Sequence, residues 1–267
     1  DPKNQASEEK EYFWQKLKRL TKNNALDLHG IVFNEREWDE VVSYLNAHSD
    51  INKLIASGCE IEDATVEYIA LAKNLSSIDL QENNIYSAGA AKLAELPLEE
   101  LNLSLNPVDD TALNLFSSSK IKKISLNCCE NIEGHGLVSL LKNPNILVLE
   151  LEELNIENDS LCSLKENTTL KELNIRNCQY LTYKLMDYLA KNESLEKIDM
   201  SLNTNIGDVG IQKLSSNNTL KSLNICQTGL TDDSVKELIK MQKLSSLNAR
   251  LNNFTEKGIE ILKTKIE

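Results

Sequence analysis

The sequence predicts an α/β solenoid, a curved horseshoe with a parallel β-sheet on its concave face and helices on its convex face. Three observations predict it. The pattern L-x-x-L-x-L recurs, opening at Ile51, Leu75, Leu98, Ile121, Ile146, Leu170, Leu195, Leu220 and Leu244. A second apolar set follows each copy at helical spacing, as Ala90 and Leu93 follow Ile85. Both sets keep one register along the chain, with a period of 23 to 25 residues. Repetition at that period marks a stack of units that bury their apolar sides only against their neighbours.

The strand half of each unit comes first. Side chains alternate across a strand, so the leucines of the motif point to the core and the residues between them to solvent. A degenerate copy beginning at Asn23, carried by Leu26 and Leu28, brings the strands to ten. The helix half follows, with apolar residues three to four apart on one face. A small residue recurs there at Thr65, Gly89, Ala112, Gly136, Ser160, Gly210, Ser234 and Gly258, with Leu185 the exception. It is expected to let each helix approach its strand closely. Ile132, Leu181 and Ile206 come one position late, in the three repeats of 25 residues, so the extra residue belongs to the loop between strand and helix. Strands pack ~4.8 Å apart and helices about 8–10 Å, so the helices splay and the sheet becomes the inside of the curve, roughly 43 Å long.

Two units are expected: residues 1–22 as an N-terminal capping helix and residues 23–267 as the repeat domain, about ten repeats of 23–28 residues. Within the first, a helix over residues 7–20 would turn Phe13, Leu17 and Leu20 onto the first repeat. A partner-binding role for this helix, through Tyr12 and Trp14, is the alternative. After the helix expected at Thr255–Lys265 no cap is evident, which suggests that the chain continues.

The formal net charge is −12 and the pI near 4.9. A field of that sign repels phosphate backbones and anionic lipid, so the expected partner is another protein with a basic patch, and no nucleic acid. No apolar run approaches the ~18 residues of a membrane-spanning helix, so no membrane insertion is expected. The cysteines (Cys59, Cys128, Cys129, Cys162, Cys178 and Cys226) form no Cys-x-x-Cys pair and read as reduced thiols of an intracellular, reducing compartment. Cys226 falls on the exposed strand face, without a basic neighbour in sequence to activate it. No phosphate-cradling glycine loop, His-Glu-x-x-His or Gly-x-Ser-x-Gly occurs. His29, His48 and His135 lie at non-equivalent repeat positions. The expectation is a protein that is not an enzyme and binds no metal and no cofactor. Sequons at Asn74, Asn102 and Asn167 are expected by chance in an Asn-rich chain.

Two local features carry a family resemblance. Ser87–Ala94 reads Ser-Ala-Gly-Ala-Ala-Lys-Leu-Ala, and Cys59, Cys129 and Cys178 stand where other repeats have Asn83, Asn106, Asn203 and Asn252. The repeats resemble the ribonuclease-inhibitor-like class of leucine-rich repeats. The first feature resembles the GALA subtype of bacterial-pathogen effectors, the second the cysteine-containing repeats of F-box proteins. The resemblance implies a leucine-rich-repeat solenoid that binds proteins with its concave face. Plant-pathogen relatives carry an N-terminal F-box, and the 22 residues before the first repeat are too few for one. Lysine outnumbers arginine 25 to 4, a bias that hints at an AT-rich, bacterial coding genome.

On the concave face, the middle exposed column is Asp27, Ile55, Asp79, Asn102, Ser125, Glu150, Asn174, Asp199, Asn224 and Asn248. The next is His29, Ser57, Gln81, Ser104, Asn127, Glu152, Arg176, Ser201, Cys226 and Arg250. One repeat breaks the polar pattern: Leu147 and Val148 replace pairs such as Lys122–Lys123, beside Glu150, Glu152 and Glu153. An apolar pair ringed by charge resembles an interface centre. The expected partner site is therefore Leu147, Val148, Glu150, Glu152, Glu153, Ser125, Asn127, Asn174, Arg176 and Asp199, centred on the strands of residues 121–178. Leu105, Leu202 and Leu251 share the position before the ladder Asn and are expected to pack under loops, with an exposed rim stripe as the alternative. Replacing Glu150, Glu152 and Glu153 by Lys is expected to leave the fold intact. The expected function is a non-catalytic interaction module, a bacterial effector or inhibitor, monomeric on its own, with delivery into a host cytosol as the expectation that goes with an effector. The recognition arm of a ubiquitin ligase and a GTPase-activating protein are the alternatives.

Overall fold

The computed structural model describes residues 2–265. One open sheet of eleven strands runs in chain order. Its strands are β1 (Thr21–Lys22), β2 (Ala25–Asp27), β3 (Lys53–Ile55), β4 (Ser77–Asp79), β5 (Glu100–Asn102), β6 (Lys123–Ser125), β7 (Val148–Glu150), β8 (Glu172–Asn174), β9 (Lys197–Asp199), β10 (Ser222–Asn224) and β11 (Ser246–Asn248). From β2 to β11 every neighbour is parallel, and equivalent motif positions pair, as Ser125 does with Glu150 and Glu150 with Asn174. All ten expected strands form in the expected register. The eleventh, β1, is antiparallel to β2 across a two-residue turn in which Asn23 and Asn24 have φ of 50° and 63°. Asparagine tolerates that left-handed geometry, which two-residue hairpins need.

The helices are α1 (Pro2–Arg19), α2 (Glu35–Ala47), α3 (Asp63–Ile69), α4 (Ser87–Ala94), α5 (Asp110–Phe116), α6 (Leu137–Leu140), α7 (Met186–Leu189), α8 (Gly207–Leu214), α9 (Val235–Lys240) and α10 (Glu256–Lys263). The α1 helix begins earlier than expected. It buries Leu17 and packs Phe13 edge-on against Phe33 at 5.6 Å. Trp14 is engaged with α2, edge-on to Tyr44 at 5.5 Å and donating from Nε1 to Glu40 at 3.1 Å, whereas Tyr12 stands exposed. The uniform helices expected are not all realised. Asn158–Lys165 is a 3-10 helix, and Tyr183–Leu185 and Asp232–Ser234 are 3-10 turns leading into α7 and α9. Asn158, Asp159 and Ser160 are short polar residues that compete for the backbone and favour turns over a regular helix start.

The small residue serves a different contact from the one expected. A Cβ on Gly89 would meet Asp63 Oδ1, one on Gly258 would meet Asp232 Oδ1, and one on Gly136 would meet the Asp110 carbonyl and Leu113. The tight approach is to the preceding repeat's helical segment, as well as to the repeat's own Ile85 and Ile206 at Gly89 and Gly210. Those aspartates explain it. Asp63 accepts from the Tyr86 N–H, Asp110 from Glu133, Gly134 and Gly136, and Asp232 from Thr255. Each carboxylate thus satisfies free N–H groups at the next helix start, where negative charge also suits the helix dipole.

In the longer repeats the extra residue closes its own turn. The N–H of Ile132 bonds Cys129 C=O at 3.0 Å, Leu181 bonds Cys178 at 2.9 Å and Ile206 bonds Asn203 at 3.2 Å. The core is one continuous cluster between sheet and helices, from Leu17 to Leu262.

The sheet face as a candidate interaction site

From β2 to β11 each strand is three residues long, and in seven of them the last residue makes a local bond that closes the strand. Asp27, Asp79, Asn102, Asn174, Asp199, Asn224 and Asn248 each accept, through a side-chain oxygen, the N–H two residues on. This local bond replaces a ladder bond and ends the strand. The polar middle column is thus accounted for chiefly by strand termination, and Asn174 and Asp199 are committed to it. Asp199 also accepts from Asn224 Nδ2 at 2.7 Å.

The middle column departs from this at Ile55, Ser125 and Glu150. On β6 and β7 the corresponding N–H groups turn instead to the preceding strand: Asn127 N–H bonds Ser104 Oγ at 3.1 Å and Glu152 N–H bonds Asn127 Oδ1 at 2.7 Å. Glu150 is thereby released from strand termination. It accepts from Ser125 Oγ at 2.7 Å and pairs with Lys123 Nζ at 3.3 Å. Glu152 accepts from Asn174 Nδ2 and is ion-paired with Arg176, whose pKa that hydrogen bond raises.

These contacts correct the expected picture in three ways. Ser125 is buried beneath Glu150 and is not exposed. Glu150 and Glu152 are half-buried and already paired, so the carboxylate cluster is largely neutralised from within. Replacing both by lysine would set like charges against Lys123 and Arg176, so that triple variant is no neutral probe of the surface. Glu153 is the exposed member, and it sits at the strand ends with φ of 58°.

Glu153 belongs to a column that repeats along the solenoid. Glu82, Leu105, Cys128, Glu153, Asn177, Leu202, Gln227 and Leu251 all have φ between 53° and 64°. Leu105 and Leu251 are 46% and 74% exposed there, so those two form part of an exposed rim and are not packed under loops. A left-handed non-glycine residue is held only where its surroundings over-determine it.

Leu147 and Val148 sit at the opposite, entering end of β7. Leu147 is 39% exposed and Val148 half-buried. Leu147 falls in a column whose other central members are charged: Glu99, Lys122, Lys171, Glu196 and Lys221. Lys122 pairs with Glu99 at 2.9 Å, and Lys171 and Lys221 pair with Glu196 at 3.4 and 2.7 Å. The alternation of charge breaks at Leu147, and the lysines on both sides make their pairs with the carboxylates beyond. The sequence shows this alternation once register is known, but local pattern-reading missed it because neighbours in the column are 23 to 25 residues apart.

The next inner position holds the turn together. Asn83, Asn106 and Asn252 donate to two carbonyls or more and accept N–H groups from the preceding turn, as Asn106 does from Ile85 at 3.0 Å. The thiols of Cys59, Cys129 and Cys178 donate to the preceding strand's carbonyls at 3.1 to 3.2 Å. Burial pushes the Cys129 and Cys178 thiols up to about 12, so they are poor nucleophiles. Among the described residues, no group of His, Cys, Asp and Glu is placed to hold a metal ion, and no helix is long and apolar enough to cross a membrane.

A family model described as Leucine Rich repeat matches residues 97–116, 166–184 and 191–215. The fold is a leucine-rich-repeat solenoid. The solenoid is similar to a chain in the crystal structure of the Rad7 and Elc1 complex in yeast, at 17% identity and a TM-score of 0.55, over 86% of this chain and 70% of that one. An internalin (inlF) from Listeria monocytogenes gives 17% identity and a TM-score of 0.49, over 91% of this chain and 65% of the internalin chain. At such identity the likeness to the chain of the Rad7 and Elc1 complex speaks to the fold alone.

Proposed function

We propose that this leucine-rich-repeat chain is a non-catalytic interaction module that docks a partner protein on its sheet face over β6, β7 and β8. The observation that carries the reading is Leu147. Its column alternates in charge on both sides, and a carboxylate there could pair with Lys122 and Lys171 at once. The chain forgoes those pairs to display an apolar side chain in a charged field, with Val148 beside it. An apolar anchor rimmed by polar groups is the usual form of an energetic centre in a protein interface.

The partner presents an apolar group to Leu147 and Val148 and a basic group to Glu153, the carboxylate not neutralised by Lys123 or Arg176. The GALA-like segment at Ser87–Ala94 and the lysine-rich composition support a bacterial effector or inhibitor. The free thiols, of which Cys59, Cys129 and Cys178 are buried, support a reducing compartment.

A photo-crosslinking amino acid at position 147 tests the docking face. It is expected to form a covalent adduct with the partner, whereas the same group at Val209, exposed on α8, is not. Adducts from position 209 with none from 147 would put the partner on the helical face.

A further inference from the structure

The sheet face carries a second interruption, nearer its start. Ile55, the last residue of β3, is the one apolar member of the middle column. Its neighbours on either side close their strands: Asp27 accepts from the His29 N–H and Asp79 from the Gln81 N–H, each at 3.0 Å. Isoleucine cannot make that bond, and Ile55 does not join the core cluster either. It is half-buried on the face of the sheet, as are Leu20 and Ala25. Together these three side chains line an open cavity of about 450 Å³ over β1, β2 and β3.

Charge around the cavity runs against the rest of the molecule. Its lining includes three cations, Arg19, Lys22 and Lys53, against one carboxylate, Asp27, in a chain of net charge −12. Among the described residues none of the three is in an ion pair. Farther along the face the equivalent cations are paired, Lys123 with Glu150 at 3.3 Å and Lys197 with Glu172 at 3.2 Å. Register explains the difference. Lys53 stands in the same column as Lys123 and Lys197, but its neighbours across the ladder are Ala25 and Ser77, whereas Lys197 has Glu172 alongside. Arg19 lies in the last turn of α1, where a cation suits the helix dipole, but Lys22 and Lys53 have no such account.

We propose that the sheet face over β1, β2 and β3 takes an acidic segment of a partner protein, built around one apolar residue. The apolar side chain packs on Leu20 and Ile55, and the carboxylates beside it meet Arg19, Lys22 and Lys53. Those cations give up no ion pair when a carboxylate arrives, so the attraction is not offset by a pair that must break, as it would be at Lys123 or Lys197. The apolar contact supplies a centre that excludes water, and the cations form its polar rim. The site lies four strands from β7, about 19 Å at the ~4.8 Å strand spacing, so it stands or falls independently of Leu147.

The test uses the full chain and, as probe, the synthetic peptide acetyl-Glu-Asp-Leu-Glu-Asp-amide, titrated by two-dimensional amide NMR. Saturable shifts are expected at Leu20, Ala25, Lys53 and Ile55, with an affinity that falls as salt is added. Lys22→Gln and Lys53→Gln together should weaken binding about tenfold at an unchanged melting temperature. Lys197→Gln, in the same column but already paired, should leave binding as it was. The proposal is overturned by the absence of saturable shifts at those four residues, or by equal binding to the Lys22→Gln, Lys53→Gln protein. A loss as large in Lys197→Gln overturns it as well, since binding would then follow overall charge. So does equal binding of a peptide with lysine at each acidic position. Self-association of the protein alone that the substitutions at Lys22 and Lys53 abolish would give the site to a second copy, and the proposal would fall.

Discussion

The turn position occupied by Asn or Cys shows how much a single residue settles in this fold. Asn106 meets both its donors and its acceptor, bonding Leu80, Leu103 and Ile85. Asn203 donates to Ile175 and Met200, but its buried Oδ1 has no partner. The reason lies one repeat earlier, where Leu181 N–H has turned to Cys178 C=O and is no longer available. Asn106→Cys is therefore expected to destabilise by about 1–3 kcal/mol, because it orphans a buried N–H, and Asn203→Cys by distinctly less. Denaturant melts of the two variants check the difference, and equal losses would contradict it. Sequence alone equates the two positions, since the missing donor depends on a turn of the neighbouring repeat. Asp109 offers a pH-dependent check. Its carboxyl is held below its ordinary value, first by the hydrogen bond from Ser87 Oγ at 2.5 Å and also by the Thr111 N–H. A depressed folded-state value adds stability that is present above the unfolded value, near ~3.9, and is lost as pH falls through the folded value. Ser87→Ala should raise the Asp109 midpoint seen by carboxyl NMR and shrink that acid-side contribution. A midpoint that stays put would remove Ser87 as the cause.

At the scale of the element, the strands were legible and the helices only partly so. A three-residue strand with an apolar centre, closed in seven of ten cases by an Asx end, is written locally, and all ten expected strands appear where the motif placed them. The 3-10 segment at Asn158–Lys165 was not legible, because its apolar spacing imitates an α-helix while its short polar start does not sustain one. Nor was the contact made by the small helix residue, which depends on an aspartate of the repeat before. Leu173, at the centre of β8, is 2% exposed. Leu173→Asp would bury an unpaired carboxylate and is expected to abolish cooperative folding, as far-ultraviolet dichroism and thermal melting would show. A near-wild-type melt would mean that this side chain does not point to the core. The candidate site was legible as an interruption in a pattern, through Leu147 and Val148. The internal pairing of Glu150 and Glu152 was not, because it depends on which cations the adjacent strands bring alongside.

At the scale of the whole molecule, stacking gives the chain a long polar sheet whose side chains are mostly engaged with one another. Aspartates and asparagines end strands, and lysines and glutamates pair across them. A face so internally satisfied gives up little hydration to a partner and gains little from one, except where the pattern is interrupted. Leu147 marks that interruption, so stability and binding should separate there. Leu147→Glu would complete the run Glu99–Lys122–Glu–Lys171–Glu196. Exposed pairs of this kind are worth about 0–1 kcal/mol, so the melting temperature should hold or rise slightly. Removing an apolar anchor, in contrast, typically weakens an interface by more than about 1 kcal/mol. The decisive measurement is a paired one, with melting temperature beside quantitative affinity capture of partners on wild-type and Leu147→Glu protein. If Leu147 anchors a partner, the melting temperature will be unchanged or higher and the partner that Leu147 contacts will be lost. A stable Leu147→Glu protein that retains every wild-type partner at wild-type affinity would contradict it.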